Sequence, residues 1–218
     1  MDITPIFNFF FQQYTQYLII DIFLELTAML FGLISIWFAK RNSINVYPLG
    51  LISTGIYVYL LIKWGLLGDF LINVYYFIMS IYGWYFWSKR LEGEIINRVD
   101  HISYNEKVKI IFLAISSFTF VYLLYSFFNK WHDPFAWLDT ITTSLFFVGM
   151  WLMARRKVEN WIFWIIGDII SVPLYFYKGL TLTSFQYLIF TILAFQGYNK
   201  WKRIINKNQL IGLVEERN

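Results

Sequence analysis

The sequence predicts an all-α integral membrane protein with seven transmembrane helices. Of its 218 residues, 58% are hydrophobic, 22% are aromatic and 15% are charged, whereas soluble domains carry about 25% charged residues. A chain with so few charged residues cannot form the water-exposed surface of a soluble globular protein. It also contains four stretches without a charged residue, each about as long as the ~20 residues that span a hydrocarbon core of ~30 Å. These stretches are 42–62, 70–88, 110–129 and 179–199.

Seven apolar segments bounded by charged residues predict the helices in chain order. The segment 3–11 is apolar and aromatic but runs into a glutamine-rich stretch, so we expect it to lie at the membrane interface rather than to span. No cleavable signal peptide is expected, because the first twenty residues carry no Lys or Arg. The predicted helices are 17–39, 46–64, 68–88, 108–129, 135–154, 159–177 and 181–200.

The distribution of basic residues predicts the orientation of these spans. With seven spans, 15 of the 18 Lys and Arg residues fall on one side of the membrane, the side that also receives the C-terminus. Basic loops are retained in the cytoplasm. The sequence therefore predicts a multi-pass protein of the cell inner membrane with its N-terminus outside and its C-terminus cytoplasmic. This placement accounts for the net charge of +4 without a nucleic-acid partner.

Several kinds of chemistry have no residues to support them. The chain contains no cysteine, and its two histidines, His101 and His132, lie in predicted loops. No metal site is therefore expected. No phosphate-binding loop or other nucleotide motif occurs, so we expect neither ATP hydrolysis nor a cofactor. The expected partners are the lipid bilayer around the protein and a small molecule bound between the helices.

An internal repeat relates the two halves of the chain. Each repeat, 17–88 and 135–201, holds three predicted helices, and the helix 108–129 links them within a single membrane domain, 1–218. Because one linking helix returns the chain to its starting side, both repeats have the same topology. The predicted 3+1+3 architecture resembles that of SWEET-type sugar transporters, which place a substrate site between the two halves. Sliding the chain by 114 residues superposes Glu25 on Asp139, Trp37 on Trp151, Arg41 on Arg155, Gly65 on Gly179, Gly83 on Gly197 and Trp87 on Trp201.

One face of the sixth predicted helix carries the strongest candidate site. Trp161, Trp164 and Asp168 have the spacing i, i+3 and i+7, which places two indoles and a carboxylate on one face. A charged group at the centre of a span is costly and marks function by default. Aromatic walls beside a carboxylate suit a flat cationic ligand. The alternative is that the tryptophans only pack and that Asp168 bonds a neighbouring helix.

Other polar and helix-loosening residues in the spans are further candidates. Glu25 and Asp139 are expected near the outer mouth of an internal cavity. Amide and hydroxyl groups that need partners in a dry interior point to substrate contacts by Asn73, Tyr76 and Gln196. Prolines loosen the backbone hydrogen bonds of spanning helices, and the candidate gating residues are Pro48 and Pro173.

The segments IYGWYFW, 81–87, and RRKVENWIFW, 155–164, resemble the PnuC family of vitamin transporters. The resemblance covers most of the chain. It implies a SWEET-like fold in the inner membrane and passive transport of nicotinamide riboside, which a cytoplasmic kinase then traps. It also implies that Trp161 and Trp164, which match the family's WxxW pair, contact the substrate ring.

Three positions depart from the pattern of nicotinamide riboside members of that family. Asn73 stands where those members tend to have Gln, and Asp168 and Gln196 stand where they tend to have Asn. Relatives of the PnuT type are thought to carry thiamine, so nicotinamide riboside and thiamine both stay open as small cationic substrates. A membrane-embedded enzyme or sensor is the less favoured class, because the loop and tail outside the spans are too short to fold as a domain. The sequence leaves the oligomeric state open, a homo-oligomer included.

Overall fold

The computed structural model describes residues 18–64, 67–91, 94–129, 131–132, 134–178 and 181–215. Within these residues the fold is helical, with one short antiparallel hairpin. The predicted interfacial segment 3–11 lies outside the described residues. In chain order the elements are α1 Ile19–Lys40, α2 Val46–Lys63, α3 Leu67–Ser88, β1 Arg90–Leu91, β2 Glu94–Ile95, α4 Tyr104–Phe127, α5 Ala136–Ala154, α6 Asn160–Tyr177 and α7 Thr181–Glu215.

The seven helices correspond one to one with the seven predicted spans. Five of the described helices, α1, α2, α4, α5 and α6, are long and apolar enough by length and composition to cross a membrane. The other two helices, α3 and α7, are also long enough to span a membrane. They pack against the other helices of the same bundle. This agrees with the prediction of an all-helical, multi-pass membrane protein.

Two helices extend by more than one residue beyond their predicted bounds. The helix α4 begins at Tyr104, four residues early, because the Ser103 hydroxyl accepts a hydrogen bond from the Glu106 amide while the Glu106 carboxylate accepts one from the Ser103 amide. This reciprocal arrangement is a capping box. The helix α7 continues to Glu215 rather than ending near residue 200, through a segment of Lys, Arg, Asn and Gln that hydropathy places outside the membrane.

The helices pack in two consecutive groups. In the first group α2 packs against α1 and α3, and in the second α6 packs against α5 and α7. Contacts of α1 with α7 and of α3 with α5 join the two groups, while α4 packs chiefly against α5. The helices α5 and α7 therefore flank α6, and α3 of the other group approaches the same region by packing against α5.

Residues 114 positions apart adopt the same turn after α1 and after α5. Asn42 and Arg156 both have positive φ, 55° and 60°, and each amide donates to the carbonyl three residues earlier, 2.9 Å away in both cases. Arg156 is 3% exposed, and its Nε donates to Asn42 Oδ1 at 3.1 Å. Burial lowers the pKa of Arg156 to about 10, so the side chain is charged at neutral pH.

A buried cluster joins the two groups at the end of the bundle that carries the 155–157 turn, hereafter the basic end. Trp87 Nε1 donates to the Ala154 carbonyl at 3.2 Å, and Trp201 Nε1 donates to the Ala39 carbonyl at 2.9 Å. The two indole rings lie 5.8 Å apart. Each indole thus bonds the end of the first helix of the other group, which closes this end of the bundle with apolar side chains.

Candidate functional site

The inner face of α6 carries a buried polar stripe. Trp161, Trp164, Asp168 and Ser171 follow one another at intervals of three or four residues, so they lie on one side of the helix. Asp168 is 2% exposed and Ser171 is fully buried. Asp168 is also the ninth of the 18 residues of α6, so its carboxylate lies close to the middle of the span.

Polar atoms of this stripe lack hydrogen-bond partners within the described residues. They are Asp168 Oδ1, Ser171 Oγ and the indole Nε1 atoms of Trp161 and Trp164. A buried polar group without a partner costs about 1–3 kcal/mol, and more when it is charged. Such groups concentrated on one helix face therefore indicate that a bound molecule supplies their partners.

Aromatic side chains from three other helices gather around Trp164. Phe146 of α5 stacks on its indole with ring centroids 5.3 Å apart, and Tyr76 of α3 lies at 6.4 Å. Tyr187 of α7 stacks on Phe146 with ring centroids 5.9 Å apart. Tyr76 and Tyr187 are both close enough to Asp168 to interact with its charge. The arrangement is an aromatic enclosure around a carboxylate, formed where α3 of the first group meets the second group.

Gly167 makes this enclosure possible. A Cβ atom at this position would lie 2.3 Å from Cε1 of Phe146, closer than any packed carbon. The missing side chain lets Phe146 reach across α6 and stack on Trp164. The glycine therefore sets the position of one aromatic wall directly beside Asp168.

The two predicted tryptophans have different surroundings. Trp161 is 1% exposed and belongs to the buried cluster of the basic end, where its ring lies 5.5 Å from that of Trp201. A Cβ atom on Gly197 would lie 2.6 Å from the Trp161 indole. Trp164 is only half-buried and faces Tyr76 and Phe146. Trp161 is thus a member of the buried cluster, whereas Trp164 is a partly buried residue that packs against the same cluster; substrate contact by either indole stays a prediction.

Two of the predicted polar candidates form hydrogen bonds between helices. Asp139 accepts hydrogen bonds from Lys178 Nζ at 2.5 Å and from the Tyr125 hydroxyl at 3.0 Å. Gln196 Oε1 accepts from Lys40 Nζ at 2.7 Å where α7 meets α1. Both side chains therefore form contacts between helices, and their role as substrate contacts stays a prediction. Glu25 is half-buried on α1.

The remaining candidates are Asn73, which lies near the enclosure, and the two prolines proposed to loosen helices. Asn73 lies one turn before Tyr76 on α3 and is half-buried, so it shares the side of the helix that faces the enclosure. Pro48 is the third residue of α2, a position where proline removes no helical hydrogen bond. Pro48 therefore leaves the helical hydrogen bonds of α2 intact, and its gating role stays a prediction. Pro173 lies inside α6, five residues after Asp168.

Sequence reasoning missed two residues of the enclosure, Phe146 and Tyr187. Phe146 gives no signal of its own among the many aromatic residues of this chain. Tyr187 occupies the position 114 residues after Asn73, so the repeat offset could have identified it. The corresponding positions on α2, occupied by Gly50 and Thr54 in place of Trp164 and Asp168, carry neither an indole nor a carboxylate. The indole and the carboxylate of the stripe are therefore features of α6 that α2 does not share.

Comparisons with known proteins identify the family. The family described as "Nicotinamide mononucleotide transporter" matches residues 22–203. The nicotinamide riboside transporter PnuC of Escherichia coli is 25% identical over 201 residues, covering 82% of this chain and 84% of that protein. The riboflavin/roseoflavin transporter RibM of Streptomyces davaonensis is 26% identical over 186 residues, with 81% and 83% covered.

A solved structure shares the fold. The crystal structure of the vitamin B3 transporter PnuC superposes with a TM-score of 0.63 and 22% identity, covering 85% of this chain and 83% of that one. The relatives are membrane transporters rather than enzymes. Because the family match extends over most of the sequence, the chain belongs to the nicotinamide mononucleotide transporter family.

Proposed function

We propose that this protein carries nicotinamide riboside into the cell across the inner membrane by alternating access. A cytoplasmic kinase then phosphorylates the substrate and traps it. The observation that carries the proposal is the buried carboxylate of Asp168, with Oδ1 unpartnered, next to the Trp164 indole. Nicotinamide riboside has a flat, permanently cationic pyridinium ring, which complements both groups.

The free-energy cost of burying the Asp168 carboxylate favours a positively charged substrate. An ion in the membrane interior is tolerated when an opposite charge or several hydrogen bonds compensate it. Among the described residues, no cation is paired with this carboxylate, so the ligand itself is the natural counter-ion. Ser171 Oγ, one turn further along α6 and also unpartnered, is suited to bind a ribose hydroxyl.

Thiamine is the second candidate, because its thiazolium ring is also flat and permanently cationic. The carboxylate at Asp168, in place of the Asn that nicotinamide riboside members tend to have, favours either cation over a neutral ring. A thermal-shift titration of the purified protein with nicotinamide riboside, thiamine and riboflavin tests the proposal, since a ligand that prefers the folded state raises the midpoint. We expect one of the two cations to raise it and riboflavin to leave it unchanged. A shift with riboflavin alone would contradict a cationic substrate.

A 3+1+3 arrangement with parallel repeats supports transport by rocking of two halves. Each group of three helices packs internally, and α4 connects the groups. Moving α2, Val46–Lys63, along the chain by 114 residues reproduces the bounds of α6, Asn160–Tyr177. Contacts between residues 114 apart, Asn42 with Arg156 and Trp87 with Trp201, are expected where a two-fold pseudo-symmetry axis passes between the repeats.

Transport is expected to be energetically passive. Within the described residues no cluster of three or more His, Cys, Asp or Glu side chains is arranged to hold a metal ion, and the sequence has no nucleotide motif. We expect proteoliposomes to equilibrate labelled nicotinamide riboside without gradients, and to accumulate it only when a riboside kinase and ATP are enclosed. Uphill accumulation driven by an imposed proton or sodium gradient, without the kinase, would contradict passive transport.

Replacing Trp164 by Ala tests the stacking wall. The change removes a cation–π partner worth about 0.5–2 kcal/mol, so we expect the affinity for the cationic substrate to fall about two- to thirty-fold, measured by calorimetry. The control is Trp84→Ala, because Trp84 is 43% exposed on the outside of α3. Equal losses for the two variants would show that Trp164 contributes no more than a peripheral indole.

The predicted orientation has a direct test. A reporter fused after Asn218 is expected to be cytoplasmic, and one fused before Met1 to be outside, because most basic residues lie on the side of the C-terminus. Activity of paired reporters, one active only in the cytoplasm and one only outside, measures this. The opposite pattern would contradict the seven-span topology.

A further inference from the structure

Four aromatic rings fill the basic end of the bundle in two matching pairs, which together form the aromatic plug. Tyr47 meets Trp87 edge to face with ring centroids 5.1 Å apart, and Trp161 meets Trp201 in the same way at 5.5 Å. The second pair lies 114 residues after the first, and the rings of Trp87 and Trp201 lie 5.8 Å apart between the two groups of helices. None of the four residues is more than 2% exposed, so the rings pack without a water-filled passage between them.

The aromatic plug lies between the enclosure around Asp168 and the basic end. Trp161 is seven residues from Asp168, about 10 Å along α6, on the side of the 155–157 turn. Exposed lysines follow the plug on α7, at Lys200 and Lys202. A solute that leaves the enclosure toward the basic end must therefore pass the plug.

Hydrogen bonds from the plug hold the two groups of helices together at helix ends. Each of its tryptophans Trp87 and Trp201 donates to a carbonyl in the last turn of α5 or α1, in the other group. The Tyr47 hydroxyl adds a third bond of this kind, to the Met153 carbonyl at 3.4 Å. The last four carbonyls of a helix have no intrahelical partner and can bond water instead. Water can thus replace the plug when the groups separate, so these bonds are reversible.

Arg156 fastens the plug at the basic end. Its Nε donates to Asn42 Oδ1 at 3.1 Å, and its Nη1 donates to the Asn97 carbonyl at 2.6 Å. Its guanidinium carbon lies 4.1 Å from the ring centroid of Trp87, a cation–π contact. One side chain of the second repeat thus binds the turn after α1, the loop after the hairpin and a ring of the plug, all of which precede α4 in the chain.

Ion pairs at the opposite end join helices within a group rather than between groups. Lys63 of α2 pairs with Asp21 of α1, and Lys178 at the end of α6 pairs with Asp139 of α5. Separating the two groups at the basic end therefore breaks the contacts of the plug and of Arg156 but leaves both ion pairs intact.

We propose that the aromatic plug is the gate at the basic end of the transport path, closed in this structure, and that Arg156 is its latch. Opening withdraws the guanidinium from Asn42 and Trp87 and separates Trp87 from Trp201, which connects the enclosure around Asp168 to that side of the membrane. The proposal rests on the alternating access of the proposed function but not on the identity of the substrate. In the predicted orientation the gate is on the cytoplasmic side.

Because the sequence contains no cysteine, a single introduced thiol can report opening of the gate without background. Ala194 of α7 is 2% exposed and belongs to the buried cluster that contains the plug. The thiol of Ala194→Cys should therefore react with a water-soluble cationic methanethiosulfonate only when the gate opens. The reaction rate is measured on the full chain in nanodiscs, without substrate.

Arg156→Gln is expected to raise this rate about ten-fold or more, because a hydrogen bond from a charged donor contributes about a factor of ten or more to an equilibrium. The matched control is Arg41→Gln at the end of α1. Arg41 stacks on Trp37 of its own helix, with the guanidinium carbon 3.5 Å from the ring centroid, so its loss should change the rate less than two-fold.

Asn42→Gly tests the same latch from the other side. Glycine accepts the positive φ of 55° at this position, so the change removes the amide acceptor without straining the backbone. We expect it to raise the rate at Ala194→Cys several-fold, also if Arg156→Gln folds poorly. Added to Arg156→Gln it should raise the rate less than two-fold further, because the bond between the two side chains is already lost. Effects that multiply in the double variant would contradict the latch.

A second thiol distinguishes opening of the gate from general unfolding. Ala136 is fully buried at the start of α5, the opposite end of the bundle, and the reaction rate of Ala136→Cys should stay within two-fold in all these variants. An equal rise at both thiols would show that Arg156 only stabilises the fold, and an unchanged rate at Ala194→Cys in Arg156→Gln would show that Arg156 holds no gate. Either result overturns this proposal without affecting substrate binding. Failure of nicotinamide riboside and thiamine to bind would contradict the proposed function without altering these rates.

Discussion

Asp168→Asn is expected to weaken binding of nicotinamide riboside by about thirty-fold or more. The substitution keeps the shape of the side chain and removes its charge. Losing one partner of a buried charge pair costs about 2–5 kcal/mol, and each 1.4 kcal/mol is a factor of ten in affinity. Dihydronicotinamide riboside has nearly the same shape but no ring charge, so its affinity for the enclosure should change by no more than about three-fold, within ~0.7 kcal/mol. Calorimetric titration of both ligands measures the difference.

The control for this substitution is Asp100→Asn, the same chemical change on a side chain that is 70% exposed. It should leave the affinity for both riboside ligands unchanged. Without ligand, Asp168→Asn should not lower the unfolding temperature, because it removes an incompletely bonded buried carboxylate. A lower unfolding temperature, with equal weakening of both ligands, would show that Asp168 connects helices and is not the counter-ion of the substrate.

The positions of the helices could be predicted from hydropathy because the bilayer imposes a length on each apolar segment. The predicted 46–64 and 159–177 differ from α2 and α6 by one residue at one end. The larger differences lie at Tyr104 and Glu215, where a helix continues into charged residues. Hydropathy measures transfer into lipid and does not measure helix formation in water, so such ends depend on capping residues such as Ser103.

The candidate site could be predicted only in part, because periodicity identifies the face of a helix but not its neighbours. The stripe of Trp161, Trp164 and Asp168 is indeed one face. Its division into a packed indole and an accessible one depends on Gly197 and Phe146, which lie on other helices and are remote in sequence. The ionic partners of intramembrane acids are equally remote, so a sequence pattern cannot distinguish an acid that binds substrate from one that joins helices.

The ion pair of Asp139 with Lys178 joins two helices, and a similar ion pair occurs in the first repeat. Lys63 Nζ lies 2.6 Å from Asp21 Oδ1, and Lys178 Nζ lies 2.5 Å from Asp139 Oδ2. In each group of helices a lysine at or just after the end of the second helix reaches an acid near the start of the first. The Asp139 side chain is 13% exposed and the Lys178 side chain 20%, so water screens this pair little.

Lys178→Met is therefore expected to destabilise the protein by about 3–5 kcal/mol, the cost of leaving one partner of a buried pair uncompensated. The double variant Asp139→Asn/Lys178→Met removes both charges and should recover much of the loss, whereas Lys107→Met, at an exposed lysine of α4, should cost little. Denaturant unfolding in detergent measures the free energies. The affinity of the folded fraction for nicotinamide riboside should remain within two-fold, because Asp139 is bonded to Lys178 and Tyr125 and not to the enclosure around Asp168. A large loss of affinity at unchanged stability would instead assign Asp139 to the substrate path.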